Sequence, residues 1–413
     1  MPGIWDAASY SLYGSIREDI SMSETAKRPS AAHMAATVLV TVYVGACIYM
    51  YFMFMGWTGG AVYESDLPAH ISLAVDDGLI YSLISFILIA LDRIHLMVLL
   101  PLILGAFAYL SVYFTFRLIV DITGHRIDIY KAWIMALFLN IFMPCYIKGL
   151  SSGRYMGMHT SSIWHNSTYL MMKWMGLWTL LIYFNIEKDI SEKLTKKSFI
   201  LFTAALTLTT AAKPNFILAV APVMLVFLIT DIVKKNAPAG KLLLFATSVI
   251  PSFLIMLLQN KALYDVNAGS NHIVIAPGRA MGVHASNLIA VSVLSIAFPL
   301  MMLLFHAKEL FKNRVLLFAW MSAGTGFLQY FLFSELGARD MDANFSWGYA
   351  FTIILIFGIS LIMWTDDMKR FKESSLFSRV YLCLCGIVLL YHTYCGVLFF
   401  ERLVRGVSYM MWG

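Results

Sequence analysis

Charge is what this chain has least of. Only 13% of its 413 residues are Asp, Glu, Lys or Arg, against 60% hydrophobic, and the mean hydropathy reaches +0.75. Soluble globular domains carry about 25% charged residues, so a water-soluble fold is excluded and a polytopic membrane protein is implied. Paired cysteines are missing too. Cys47, Cys145, Cys383, Cys385 and Cys395 fall in or beside apolar runs, without the spacing of a disulfide framework or a zinc site, and Cys383-Leu384-Cys385 reads as structural. The first 30 residues hold no apolar core ahead of a cleavage site. A removable signal peptide is therefore not expected, and the first membrane helix doubles as the insertion signal. Walker A, glycine-rich dinucleotide, G-x-S-x-G and H-E-x-x-H patterns are also absent, which leaves ATP, serine or zinc hydrolysis without support.

Long apolar runs are what the chain does have. A bilayer core needs roughly 20 apolar residues per helical pass, and eleven runs are candidates: 35–57, 94–119, 130–147, 168–185, 199–212, 215–233, 242–258, 288–305, 315–333, 348–364 and 380–400. The expectation is an all-α, polytopic transmembrane helix bundle of about 11 spans. Residues 1–34 form a cytoplasmic N-terminal segment, 35–400 the transmembrane domain and 401–413 a short external tail. With the N-terminus inside, 20 of the 30 Lys and Arg residues lie on the cytoplasmic side, as the positive-inside rule requires. The net charge of +6 is thus a topology signal, and no nucleic-acid partner is expected.

The cytoplasmic loops are short connectors, whereas the external ones (58–93, 148–167, 259–287 and 334–347) are longer and rich in Gly, His, Asn and aromatic residues. Loops positioned by a rigid scaffold commonly carry function, so the site is expected to face outward. Residues 79–91 form an apolar run too short to span. They read as an interfacial helix in the first external loop, suited to gripping a lipid chain and kept from the next span by Asp92 and Arg93.

Four constellations could carry chemistry. The first is Ser65-Asp66-Leu67-Pro68-Ala69-His70, preceded by Glu64. A carboxylate at a membrane mouth can deprotonate an acceptor, yet Asp66 ahead of Pro68 is equally suited to capping a helix. The second runs from Ser151 through Arg154 to His159, then Trp164-His165-Asn166-Ser167-Thr168-Tyr169 at a helix entrance, where an anion is favoured. The third is Lys213-Pro214-Asn215, either a snorkelling lysine beside a helix break or a point charge for a lipid phosphate. The fourth runs from Glu335 to Tyr349 and includes Arg339 as a phosphate fork with Asn344 and Trp347 as sugar or phosphate contacts. A merely solvated loop explains it as well.

These four elements, in this order, resemble the GT-C superfamily of integral-membrane glycosyltransferases, and most closely an uncharacterised bacterial branch. That branch has an SDLPAH-like first loop, a WHN-x-TY entry to the fourth helix, a KPN break and an N-F-x-W-G-Y late loop. The resemblance implies a GT-C-like bundle in a bacterial plasma membrane that moves a sugar from a polyprenyl-phosphate donor to an external glycan, lipid or wall-polymer acceptor. It implies an acidic catalytic residue in the first external loop, acting as general base or acceptor-orienting group, matched here by Asp66 with Glu64 as second choice. Lys213, Arg339 and His165 would hold the donor phosphate, and His70, Arg154, Trp164, Asn166, Asn344 and Trp347 would contact substrate. Glu64 replaces the first Asp of the familiar D-x-D loop, which leaves a divalent metal open, and no other cofactor is implied. A transporter or flippase of a lipid-linked or small substrate, and a non-catalytic component of a polysaccharide assembly, are the rival classes. A transporter would place its binding residues on broken helices near mid-membrane.

Overall fold

The computed structural model describes residues 31–56, 65–150, 159–265, 272–285, 287–337 and 343–407. It is nearly all α-helical, and each of the eleven apolar runs contains a helix, because a backbone cut off from water must satisfy its polar groups internally. In chain order the principal helices are α1 (Ala31–Phe54), the short α2 (Leu67–Ile71), α3 (Leu83–Arg93), α4 (Leu100–Thr123), α5 (Ile129–Phe138), α6 (Ser167–Glu187), α7 (Lys196–Ala212) and α8 (Asn215–Lys234). They continue with α9 (Ala239–Ala246), α10 (Ile250–Asp265), α11 (Leu288–Ser295), α12 (Ala297–Phe305), α13 (Arg314–Leu332), α14 (Ser346–Lys369) and α15 (Leu376–Val404).

Among the described residues, seven helical units are long and apolar enough to cross a membrane: α1, α4 with the turn before it, α8, α9 joined to α10, α13, α14 and α15. The pair α11 and α12, bent by 68°, is an eighth if counted as one span. The other three of the eleven expected spans fall short for separate reasons. Helix α5 has 10 residues and α7 has 17. Helix α6 has 21 but is less apolar, and it lies buried along nearly its whole length. Helix α5 ends at Phe138, and Pro144, which disfavours helix at the residue before it, keeps the chain from resuming one there. The chain from Leu139 to Tyr146 then runs irregularly through the protein interior. Its amides are taken up elsewhere, Met143 N donating to the His392 carbonyl (3.2 Å) and Cys145 N to that of Leu294 (3.0 Å). Gly396 on α15 admits this segment, since a Cβ there would collide with the Ile141 carbonyl.

Two further expectations are corrected. The interfacial run starts and ends late, because α3 includes Asp92 and Arg93 and the chain breaks at His95 (φ 54°) instead. Helix α3 buries Ile84, Ser85, Leu88 and Leu91 while exposing Phe86. The stretch 259–287, expected to be an external loop, is not a plain loop. Helix α10 runs on to Asp265, and the β-branched segment β1 (His272–Ile275) pairs antiparallel with β2 (Phe333–Leu336), His272 opposite Leu336 and Ile275 opposite Phe333. Among the described residues the fold is therefore all-α apart from one two-stranded ribbon.

Helix α4 packs between α1 and α6, α6 against α7, and α7 against α10. A second group forms around α14, which contacts α13, α8 and α12, and α15 closes the bundle by returning to α1. Along α15 the outward face exposes Leu384, Ile387, Leu390 and Val397, a surface suited to lipid rather than water. These features describe a multi-pass membrane protein. The start of α6, the end of α7 and the starts of α8 and α14 lie at one end of the bundle, and that end holds the candidate site.

Candidate functional site

Helix α6 begins at Asn166, whose side-chain Oδ1 accepts from Tyr169 N at 2.8 Å as an N-cap. The same Oδ1 accepts from the Thr168 hydroxyl at 2.7 Å. With its oxygen committed in this way, the Asn166 amide points its Nδ2 outward, and that atom donates to Asp66 Oδ2 at 2.7 Å across 100 residues of sequence. Thr168 Oγ1 in turn accepts from Lys213 Nζ at 2.8 Å. An ammonium and a carboxylate are thus joined through two neutral side chains, with every donor pointing from Lys213 toward Asp66, and such a chain polarises its members cooperatively.

Each end of this relay is held by its own local structure. Lys213 lies between α7 and α8 in an extended conformation (φ −162°, ψ 123°), as the following Pro214 demands. Its ammonium rests over the Trp347 ring, 4.3 Å from the centroid, a cation–π contact. Trp347 is 2% exposed, and among the described residues its indole Nε1 has no acceptor. At the other end Asp66 precedes α2 with Pro68 in the first turn, but its carboxylate makes no capping hydrogen bond. Ser65 Oγ accepts from Leu67 N (3.1 Å) instead, so capping does not account for the Asp66 carboxylate. The Asp66 amide and the Ser65 hydroxyl both donate to the His165 carbonyl, at 3.1 and 2.9 Å.

Further residues named from sequence gather around this core. His70 Nδ1 and Ser167 Oγ are 2.7 Å apart, and the buried His165 ring lies 6.3 Å from that of Trp347. Asn215 Nδ2 donates to the Asn344 carbonyl at 2.7 Å, and Asn344 Nδ2 donates to the buried Glu335 carboxylate. Trp164 does not join them. It is buried against Phe399 and Phe400 and donates through Nε1 to Tyr43 Oη at 3.0 Å, packed between α1 and α15. Glu64, Arg154 and Arg339 lie outside the described residues. Among the described residues no three His, Cys, Asp or Glu side chains group as a metal site.

No family model, curated protein or solved structure matches this chain.

The geometry brings together one anionic and one cationic group, an aromatic face and several amides, a set able to take a proton from one substrate while stabilising negative charge on another. Thr168, which joins the two halves, stood inside a quoted motif without a role, and so did Ser167. Their positions in the first turn of α6 are the only sequence signal for either. The tight approach of α8 and α14 depends on Gly348, where a Cβ would lie 2.8 Å from the Asn215 carbonyl. Gly348→Val is expected to cost about 1–3 kcal/mol through overpacking. The measurement is the thermal midpoint of the detergent-solubilised protein, and an unchanged midpoint counts against this close contact.

Proposed function

We propose that this chain is a GT-C-like integral-membrane glycosyltransferase that transfers a sugar from a polyprenyl-phosphate donor to an external glycan, lipid or wall-polymer acceptor. In this reading all eleven helical runs cross a bacterial plasma membrane, the N-terminus is cytoplasmic, and the end bearing Asp66 and Lys213 faces outward. The observation that carries the reading is the relay from Lys213 through Thr168 and Asn166 to Asp66. It sets a base and a cation apart yet fixed relative to each other, as a displacement between two substrates needs.

Asp66 accepts the proton of the acceptor hydroxyl as its oxygen attacks the anomeric carbon. The bond from that carbon to the phosphate oxygen breaks with inversion, and its electron pair leaves on the polyprenyl phosphate. Lys213, with Arg339 and His165, stabilises the charge that develops there. Trp347, His70, Asn166 and Asn344 line the substrate space, and the lipid tail lies along α3.

One observation favours a second reading. Helices α11 and α12 form a broken pair bent by 68°, and discontinuous helices are frequent at the binding sites of transporters. Purified protein in vesicles with labelled polyprenyl-phosphate sugars separates the two. Label is expected to move onto the acceptor, and Lys213→Met is expected to lower the rate roughly 10- to 100-fold. Protein-dependent passage of the labelled lipid across the vesicle without any transfer overturns the enzyme reading in favour of a flippase.

A further inference from the structure

Lys173 is the buried cation that the mechanism leaves unused. It lies on α6 at 3% exposure, and among the described residues no carboxylate pairs with it. Its Nζ donates instead to the Ser161 carbonyl at 2.8 Å. The same carbonyl accepts from Tyr169 Oη at 3.1 Å. Residues 169 and 173 are one turn apart on the same helix face, so α6 reaches back twice to one carbonyl of the segment that leads into it.

That segment, 159–166, is buried throughout and has no helix or strand of its own. Its other anchors include the Trp164 indole, which donates to Tyr43 Oη at 3.0 Å, and Asn166, which caps α6. Thr160 Oγ1 donates to the Phe142 carbonyl at 3.2 Å, while the hydroxyls of Ser161 and Ser162 make no hydrogen bond among the described residues. Its far end carries the His165 carbonyl, which accepts from Asp66 N and Ser65 Oγ, and the Asn166 amide, which donates to the Asp66 carboxylate. A lysine so deep in a bundle is expensive to bury, and methionine would fill the same space without that cost. An amine performs one task there that an apolar side chain does not: holding the Ser161 carbonyl.

We infer that Lys173 is a positioning residue of the Asp66 site, acting through Ser161 and the 159–166 segment on the placement of His165, Asn166 and hence Asp66. The inference rests on the reading of Asp66 as the working carboxylate, so its test has one arm that does not need that reading. The full-length protein in detergent is compared with K173M, which removes the donor, and with K173Q, which keeps an N–H donor without the charge. The readouts are amide hydrogen exchange resolved by segment and the separate kcat and KM values for transfer from a polyprenyl-phosphate sugar.

In K173M, exchange is expected to rise about five- to tenfold in 159–166 and 65–71, the scale of one lost hydrogen bond, while α4 and α14 keep wild-type protection. The kcat is expected to fall roughly 10- to 100-fold, as displacement of a site group does, with donor KM nearly unchanged. K173Q is expected to restore the exchange pattern and most of kcat. Wild-type protection of 159–166 in K173M overturns the inference, and so does faster exchange spread evenly over the bundle, which marks a general structural role. If K173M fails to fold, Y169F removes the other donor to the same carbonyl and is expected to give the same regional signature; its absence overturns the inference. If the wild-type protein transfers no sugar, the function reading fails, and the exchange arm still decides whether Lys173 holds the segment.

Discussion

Asp66→Asn is expected to reduce sugar transfer by roughly 10²- to 10⁴-fold, the usual worth of a positioned general base, while leaving the folded protein intact. The replacement side chain is nearly the same size and keeps an oxygen that can accept from Asn166 Nδ2, so the contact at 2.7 Å survives. It lacks a basic oxygen to receive the acceptor proton. Donor KM is expected to change little, because the groups assigned to the phosphate lie at the Lys213 end. Helix α2 does not depend on the carboxylate either: Ser65 Oγ takes the Leu67 amide and the Asp66 side chain caps nothing. A purely structural Asp66 therefore predicts an unchanged rate in Asp66→Asn, because that contact survives. Wild-type product in Asp66→Asn membranes would remove the base assignment while leaving the fold description untouched.

The parts of this fold that could be read from sequence are those fixed by local chemistry. Each apolar run holds a helix, because uninterrupted hydrophobic sequence leaves the backbone one economical way to satisfy itself. Helix ends were harder to place. The irregular segment after α5 depends on room provided by Gly396, more than 250 residues away. The β1–β2 ribbon needs two four-residue segments from distant loops, and neither is long enough to announce itself. The site divides in the same way. Asp66, Asn166, Lys213 and Trp347 stood out because polar and aromatic residues are conspicuous at the ends of apolar runs. The partner of each was not legible, since hydrogen bonds spanning 45 and 100 residues depend on how helices pack. The competing capping role of Asp66 was equally beyond sequence, because Ser65 and Asp66 are both competent caps and only the geometry shows which one is used. The direction of Trp164 was equally hidden, because an aromatic residue next to a polar motif can turn toward either side, and here it packs on Phe399 and Phe400.

Arg314 illustrates the same limit at the opposite end of the bundle, and it carries the largest expected effect on stability. From sequence it was one more positive charge on the cytoplasmic side. In the structure its Nη1 and Nη2 donate to the two oxygens of Asp231 at 2.9 and 3.0 Å, and its Nε pairs with Glu187. The guanidinium also lies over the Phe227 ring, 4.9 Å from the centroid, and Asn236 Nδ2 donates to Asp231 at 2.7 Å. Three elements are clasped in this way: the end of α6, the end of α8 and the start of α13. The two carboxylates are 10% and 7% exposed, so Arg314→Met leaves two buried acids facing each other without a counter-charge. Removing one partner of a buried ion pair costs roughly 3–5 kcal/mol, and the partial exposure of the arginine places this case near the lower figure. The thermal midpoint in detergent is expected to drop accordingly. Arg314→Lys recovers only part of it, because an ammonium cannot supply the fork that engages both oxygens of Asp231. Combining Arg314→Met with Glu187→Gln and Asp231→Asn is expected to regain most of the loss, since the cost arises from uncompensated charge and not from the missing contacts themselves. A triple variant no more stable than Arg314→Met alone would instead mean that the hydrogen bonds of the clasp, and not its charge balance, hold these helix ends together.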